Sequence, residues 1–283
     1  MLNRFHVYVC ARTSDIETLK RDLSCSPGVM NGDVGLTVLW NQASASGAFA
    51  RAMETATAEI LVFTHCDVFF PTGWFERLAW EVDRLGRMDP DWAVASVFGI
   101  TPAGDGVGRM WDCALEPIFR ETSGVIGTAL TTPVPIVSLD EMAFAVRREA
   151  GVSFDPSLPE FHLYGTDIVL EAERQGKRSY GLDVPLIHNA KPQLRIGSDY
   201  ARSYRYMVTK WRDRLPVKTP SSTLSINPLL LPLRHLRVRY KALCRPSTYS
   251  TLRISDPNAK AVELGLDKLL LAPINEAAIS NAK

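Results

Sequence analysis

Glu59-Ile-Leu-Val-Phe-Thr-His-Cys-Asp67 is the stretch that decides the fold class. Residues 60–63 are consecutive apolar residues, which is typical of a strand buried on both faces of a sheet. An alanine-rich segment, 46–58, carries apolar residues at helical spacing before this strand, and a second helical pattern opens at Pro71 after it. A strand that lies between two helices in the sequence is the repeating unit of an α/β sheet.

The same alternation extends to both sides of this stretch. Alternating apolar residues predict a first strand over 5–10, and a helix with the capping box Ser14-x-x-Glu17 follows it. The pattern therefore predicts an open α/β sheet with helices on both faces, in which ligands bind at the carboxyl ends of the strands. The other predicted elements are strands over 34–40, 93–98 and 142–146, a helix over 166–175 and an extended segment over 179–187.

Composition and missing motifs exclude several classes of protein. The 283 residues are 46% hydrophobic and 22% charged, as in globular proteins, and no apolar run approaches the ~20 residues that span a bilayer. No pattern of an N-terminal signal peptide is present, and five cysteines without a CxxC pair favour a reducing, cytoplasmic environment over a disulfide scaffold or zinc ribbon. The sequence lacks GxGxxG after the first strand, GxxxxGK[ST] and GxSxG, which argues against dehydrogenases, P-loop NTPases and α/β-hydrolases.

His65 and Asp67 stand at the end of the buried strand, two positions apart. This spacing points both side chains to the same side, where they could hold a divalent ion such as Mn²⁺ or Mg²⁺ under a diphosphate. The alternative is that Asp67 caps the following turn and that His65 is a buried imidazole with its hydrogen bonds satisfied. The local pattern leaves both interpretations open.

Two blocks of sequence, taken together, resemble the family 2 glycosyltransferases. The first contains Asn41, Arg51, the alanine-rich helix and the strand that ends in His65-Cys-Asp67, and its order is similar to a bacterial branch in which the metal motif is His-x-Asp rather than DXD. The second block consists of Val137-Ser-Leu-Asp140-Glu141-Met-Ala-Phe-Ala-Val-Arg147, Phe154-Asp155, Phe161-His-Leu-Tyr164-Gly-Thr-Asp167, Val184-Pro-Leu-Ile-His188 and Lys210-Trp211. The resemblance covers approximately residues 5–215.

The resemblance implies a GT-A fold, with an open mixed sheet flanked by helices, as a single catalytic domain over 1–215. Its nucleotide-sugar half would be 1–100, its acceptor half 101–215, and 216–283 would form a C-terminal extension. The implied activity is transfer of a sugar from a nucleotide-sugar donor to a hydroxyl of a glycan or lipid-linked acceptor, inverting by single displacement, with Mn²⁺ or Mg²⁺ as cofactor. A non-catalytic nucleotide-sugar or glycan-binding protein on the same fold, and a nucleotidyltransferase, remain alternatives.

The resemblance also assigns candidate site residues. Asp167 occupies the position of the general base, although an acid there is also favoured by the helix dipole. The candidate metal ligands are Asp67, His65 and His188; the donor candidates are Arg12, Thr13, Asp15, Asn41, Arg51 and His65; and the acceptor candidates are Trp111, Asp140, Glu141, His162 and Tyr164. Structural alternatives exist for several: Asp15 as part of a helix cap, Trp111 as a core side chain, His188 as a structural histidine, and Asp140-Glu141 as a solvated turn.

Charge is distributed unevenly along the chain. Residues 1–190 contain 15 basic and 25 acidic residues, whereas 191–253 contain 14 basic and 2 acidic residues. In this basic arm, 191–253, the leucine-rich run 229–233 precedes a basic stretch, a combination that suits peripheral contact with an anionic membrane at its inner, cytoplasmic face. The alternative is a helix that folds back on the acidic body. Nucleic acid is not an expected partner, because no recognised binding module surrounds these residues.

Overall fold

The computed structural model describes residues 2–114, 125–191, 197–243 and 253–271, without the side chains of residues 241 and 242. The strands are β1 (Phe5–Ala11), β2 (Gly35–Trp40), β3 (Ile60–Thr64), β4 (Val68–Phe69), β5 (Trp92–Ser96), β6 (Phe98–Ile100), β7 (Gly106–Asp112), β8 (Val125–Thr128), β9 (Val134–Pro135), β10 (Ser138–Leu139), β11 (Ala143–Arg147), β12 (Arg178–Gly181), β13 (Ile187–His188), β14 (Val217–Lys218) and β15 (Thr223–Leu224). The α-helices are α1 (Ile16–Arg21), α2 (Pro27–Met30), α3 (Ala45–Thr55), α4 (Trp74–Met88), α5 (Tyr164–Arg174), α6 (Ser198–Lys210), α7 (Leu230–Leu243), α8 (Pro257–Glu263) and α9 (Leu266–Leu271).

Within the described residues, seven strands form a central sheet in the order β2-β1-β3-β11-β5-β12-β9. β1 is parallel to both of its neighbours, so that Val7 lies beside Leu36 of β2 and Val62 of β3. β11 is antiparallel to β3 and β5, which makes the sheet mixed. A second sheet has the order β10-β6-β7-β13-β4, with β8 paired to β7. The predicted open mixed sheet is confirmed.

Strand β3, which contains the apolar run 60–63, is covered on both faces. All five of its residues are buried. Leu61 and Phe63 belong to the buried cluster that contains Phe49 of α3, whereas Ile60 and Val62 belong to the cluster built on α4. Because successive side chains of a strand point to opposite faces, an uninterrupted apolar run requires apolar cover on both. The prediction of helices on both faces is confirmed.

One local prediction was wrong, and one predicted segment divides between two sheets. Asp15 is the N-cap residue of α1 and its side chain makes no capping hydrogen bond to that helix, so Ser14-x-x-Glu17 is not a capping box. The Asp15 carboxylate instead accepts a hydrogen bond from the backbone N–H of Arg12 at 2.9 Å. The predicted extended segment 179–187 begins in β12 and ends in β13, which belong to different sheets, so the chain leaves one sheet before it joins the other.

The described end of the C-terminal extension, 253–271, folds back onto the sheet domain. The Arg77 side chain in α4 donates a hydrogen bond to the carbonyl of Leu269 at 2.9 Å. Gly73 has a φ of +83° and lies so close to α9 that a Cβ there would stand 2.7 Å from Leu271 Cδ2. Among the described residues, no helix is long and apolar enough to cross a membrane. The division of the chain at residue 215 stays a prediction.

Candidate active site

Three candidate metal ligands, His65, Asp67 and His188, converge at one point beside the carboxyl end of β3. One potential ligand atom from each of them lies within 4.8 Å of the others. His188 Nε2 is 3.5 Å from Asp67 Oδ1, and the two imidazole rings are 5.7 Å apart between centroids. Two imidazoles and one carboxylate form a donor set that binds divalent transition metals.

Backbone pairing explains how residues so distant in sequence meet. The segment between β3 and β4 carries His65 and Asp67, and β13 pairs antiparallel with β4 so that His188 lies opposite Val68. The N–H of Asn189 donates to the carbonyl of Asp67 at 2.8 Å, and the N–H of His65 donates to the carbonyl of Met142 at 2.9 Å. Backbone hydrogen bonds that continue the strand pairing therefore hold the turn that carries His65 and Asp67.

Asp112, at the end of β7, orients His188. The distance between Asp112 Oδ2 and His188 Nδ1 is 2.8 Å, which leaves Nε2 directed toward Asp67. A carboxylate behind a histidine is the usual arrangement at protein metal sites, because it fixes the tautomer and ring orientation. The sequence resemblance did not single out Asp112, whose proximity to His188 comes from the parallel pairing of β7 with β13.

Burial and neighbouring charges set the protonation of the cluster. Burial alone would raise the pKa of Asp67, but His188, His65 and Arg253 outweigh it and hold that pKa well below the usual range. Burial lowers the pKa of His65, which favours the neutral imidazole that a metal requires. Burial acts in the same direction on His188, but its hydrogen bonds to Asp112 and Asp67 raise its pKa well above the ordinary value. Without a metal, His188 is thus the positive partner of two carboxylates.

Arg253 is a site residue that sequence reasoning missed. Its Nη2 donates a hydrogen bond to Asp67 Oδ2 at 3.0 Å, and its Nη1 donates to Thr18 Oγ1 at 2.5 Å. The neighbouring residue, Ile254, is held by reciprocal hydrogen bonds with the side chain of Asn189, both at 3.0 Å. The sequence assigned Arg253 only to the basic arm, and no local signal links it to a residue 186 positions earlier.

The predicted acceptor residues lie around the loop before β11 and the start of α5. Glu141 Oε1 accepts a hydrogen bond from the N–H of Gly165 at 3.3 Å, and the Tyr164 hydroxyl lies 3.4 Å from the Glu141 carbonyl. Burial, followed by the charge of Asp140, raises the pKa of Glu141 to about 8. His162 Nε2 lies 3.3 Å from Asp199 Oδ2, and the carbonyl of Met142, the residue after Glu141, accepts a hydrogen bond from the N–H of His65 at 2.9 Å. Asp140, Glu141, His162 and Tyr164 thus form one group next to the candidate metal site.

Trp111 differs from the expectation that its ring stacks on a sugar. It is 0% exposed and packs in a buried cluster with Phe69 and Ile187. The Lys260 ammonium lies 5.2 Å from its ring centroid. Trp111 is therefore a core side chain, because β7 pairs with β13 and turns this position inward.

Asp167 lies in the first turn of α5, deep inside the protein and 1% exposed. Its carboxylate accepts hydrogen bonds from Lys210 Nζ at 2.8 and 2.9 Å and from Trp211 Nε1 at 2.7 Å. Lys210 also reaches Asp155 at 2.8 Å. Burial raises the pKa of Asp167, although Lys210 and Trp211 act in the opposite direction. In this arrangement both carboxylate oxygens are engaged by the end of α6 and the residue after it.

The predicted donor residues other than His65, which belongs to the metal cluster, fall into two places. Thr13 and Asn41 meet at the ends of β1 and β2, where the Thr13 N–H donates to Asn41 Oδ1 at 3.1 Å and Asn41 Nδ2 donates to Thr13 Oγ1 at 2.9 Å. Arg12 and Asp15 belong to the same turn. Arg51 lies apart: it donates to Gln42 at 2.6 Å and lines a cavity of about 480 Å³ on the α3 side of the sheet.

Comparison with known proteins gives few matches in sequence and many in structure. No family model matches the chain. The "ATP synthase subunits region ORF 6" protein of Fuscovulum blasticum is 29% identical over 153 residues, which cover 51% of this chain and only 59% of that protein.

The solved structures similar to this chain include a mannosyltransferase from Pyrobaculum calidifontis in complex with GDP-Man and Mn²⁺, with a TM-score of 0.42 and 16% identity over 95% of this chain and 81% of that one. They also include GalNAc-T7 with UDP, GalNAc and Mn²⁺, with a TM-score of 0.46 and 14% identity over 74% of this chain and 49% of that one. Both are glycosyltransferases.

Proposed function

We propose that this protein is a glycosyltransferase of the GT-A type that moves a sugar from a nucleotide-sugar donor to a hydroxyl acceptor. The observation that carries the proposal is the cluster of His65, Asp67 and His188 at the carboxyl edge of the mixed sheet. Thr13 and Asn41, which follow β1 and β2, are hydrogen bonded to each other. The group that contains Glu141 lies next to the cluster. The order of these residues along the chain is similar to that in the family 2 glycosyltransferases, which the sequence resembles.

The three clustered side chains are proposed to hold a divalent cation. Imidazole ligands suit transition metals better than they suit Mg²⁺, so this donor set favours Mn²⁺ over Mg²⁺. The hydrogen bond between His188 and Asp112 is the outer contact that such a ligand requires. When bound, a divalent cation would stabilise the negative charge of the departing nucleoside diphosphate.

Asp167 remains the proposed general base for a single-displacement, inverting transfer. To accept a proton from an acceptor hydroxyl it must first exchange its contact with Lys210, which now lies 2.8 Å away. A specific observation supports Glu141 as the second candidate: it lies in the acceptor group beside the metal site, and its pKa is raised to about 8. A base whose pKa lies near the working pH is the most effective kind.

The proposed acceptor is a glycan or a lipid-linked hydroxyl, and the proposed location is the cytoplasm with peripheral contact at the inner face of the membrane. The described part of the basic arm divides into two. In and after α6, Arg202 pairs with Glu160, Lys210 with Asp167, and Arg214 with Glu173, so this part neutralises the acidic body as the alternative interpretation expected. α7 instead presents leucines and arginines to solvent, and this helix carries the membrane proposal.

Thermal unfolding with a panel of nucleotides tests the function. A nucleoside diphosphate or nucleotide sugar at 100 times its Kd should stabilise the protein by about 2.7 kcal/mol, and the effect should require Mn²⁺. A nucleotidyltransferase would respond to nucleoside triphosphates and release pyrophosphate, whereas a binding protein would respond to the nucleotide sugar without consuming it. Stabilisation by no nucleotide, with or without Mn²⁺, would contradict the proposal.

A further inference from the structure

A groove of about 430 Å³ separates α7 from the hairpin formed by β14 and β15. The residues that line it include three cationic side chains and several hydroxyls: Lys218, Arg234, Arg237, Thr219, Ser221 and Ser222. Leu230 and Leu233 form part of the same wall. Guanidinium groups next to hydroxyl donors are the composition of a phosphate site, because both donate hydrogen bonds to phosphate oxygens.

The two arginines of the groove have no acidic partner among the described residues, in contrast to Arg202 of α6, which pairs with Glu160. Arg234 Nε is buried and makes no hydrogen bond within the described part of the chain. Lys218 donates a hydrogen bond to the Gly104 carbonyl, which is neutral. Because these cationic side chains pair with no carboxylate among the described residues, the groove is complementary to an anion.

An exposed apolar stripe runs along α7 beside the groove. Its members recur at intervals of four and three residues, which places them on one helix face: Leu229, Leu233, Leu236, Tyr240 and Leu243, which are 58–83% exposed. Residues 229–243 contain no Asp or Glu. Leu233 belongs to both the stripe and the groove, so the groove opens where the stripe meets the polar surface.

We propose that the groove binds the phosphate of an anionic phospholipid headgroup while the stripe lies in the apolar boundary of the same leaflet. This inference rests on the proposed membrane contact and names its binding site. A leaflet surface supplies both parts, an anion for the arginines and an apolar layer for the leucines. A second copy of the chain fits poorly, because the exposed Arg237 and Arg239 next to the stripe would face cations of the partner helix.

The groove also touches the acceptor side of the candidate active site. Ser221 and Ser222 lie 3.1 and 2.5 Å from the Tyr200 hydroxyl. The Tyr200 ring packs against His162 with 5.3 Å between centroids. A headgroup held in the groove would therefore place the membrane surface on the side where the acceptor residues lie, which is the arrangement that a lipid-linked acceptor requires.

Sedimentation of the full chain with phosphatidylcholine vesicles, with and without phosphatidylglycerol, tests the groove. Arg237→Gln and Arg239→Gln remove the same charge from the same helix, but only Arg237 lines the groove. Loss of one surface charge alone corresponds to about fivefold weaker binding, which we expect for Arg239→Gln. Arg237→Gln should weaken binding to the anionic vesicles more than about tenfold, since it also removes direct hydrogen bonds to a phosphate.

Three results would overturn the inference. Equal losses of vesicle binding in Arg237→Gln and Arg239→Gln would show that net charge alone, without a headgroup site, attracts the protein to the membrane. Binding of glycerol phosphate in solution by the wild type, abolished by Arg237→Gln, without any vesicle binding would make the groove a site for a free phosphate ester. A dimer in sedimentation equilibrium that Leu236→Gln dissociates would assign the stripe to a second copy. Mn²⁺ and nucleotide binding are measured separately from vesicle binding. A protein that binds neither Mn²⁺ nor a nucleotide would contradict the proposed function, whereas the result on vesicle binding by the groove would still hold.

Discussion

The guanidinium of Arg253 and the carboxylate of Asp67 are joined by a 3.0 Å hydrogen bond, although 186 positions separate them in the chain. Asp67 thus has a cation from the C-terminal extension beside it, in addition to the two histidines with which it clusters. A divalent ion that binds Asp67 must compete with this arginine for the negative charge of the carboxylate. The competition gives the extension a measurable effect on the metal site.

Removal of Arg253 is therefore expected to tighten Mn²⁺ binding. Arg253→Ala should raise the affinity for Mn²⁺, measured by calorimetry without nucleotide, by up to about tenfold, the equivalent of 1.4 kcal/mol. Lys268→Ala is the matched control, since it removes a like charge from α9, in the same C-terminal segment. Unchanged or weaker Mn²⁺ binding in a normally folded Arg253→Ala variant would show that the arginine does not compete with the metal.

Substitutions of Asp67 and of Asp112 should weaken Mn²⁺ binding to different degrees. Asp67→Ala removes a proposed ligand and should abolish the Mn²⁺-dependent stabilisation by a nucleoside diphosphate. Asp112→Asn leaves every ligand in place but disturbs the orientation of His188, so affinity should fall by about 10–100-fold. The exposed Asp105→Asn is the control. Mn²⁺-dependent stabilisation that persists in Asp67→Ala would remove Asp67 from the ligand set.

Asp167 can be tested as a base separately from its structural contacts. If it is the base, Asp167→Asn should lower kcat by about 10²–10⁴-fold while the KM for the donor changes little. Lys210→Met breaks the same ion pair without removing the carboxylate, and it is the matched control for lost stability. Near wild-type turnover in Asp167→Asn would transfer the assignment to Glu141 or Asp140.

The raised pKa of Glu141 predicts a pH-dependent effect on stability. Its pKa moves from an ordinary 4.5 to about 8 in the folded protein, so the unfolded chain loses this proton at lower pH than the folded chain does. The stability that the protonated form contributes is therefore lost as pH rises from 4.5 to about 8. Glu141→Gln keeps a neutral group, and its gain in free energy of unfolding over wild type should be larger at about pH 9 than at about pH 5, reaching about 1–3 kcal/mol.

Chemical denaturation at the two pH values measures this difference. The exposed Glu149→Gln serves as the control and should show no such trend. A Glu141→Gln gain that is the same at both pH values would mean that Glu141 is already ionised in the folded protein at the lower value.

The sequence by itself determined the layers of the fold and one half of the metal site. The apolar run of β3 requires cover on both faces, and its position between helical patterns predicted the α/β sheet that the structure contains. The spacing of His65 and Asp67 is local, so a strand that ends there brings both side chains to one place. Local periodicity is visible in a sequence because it depends only on neighbouring residues.

Tertiary structure alone decided which distant residues complete or surround that site. The pairing of β13 with β4 and β7 brings His188 to Asp67 and Asp112 to His188, and the folded-back extension adds Arg253. The structure also buries Asp167 against Lys210 and turns Trp111 into the core. These contacts join residues that are tens to hundreds of positions apart, and they depend on strand order and on the path of the extension. Neither leaves a periodic signal in the chain, because the partner of a side chain is selected by packing and register rather than by its neighbours in sequence.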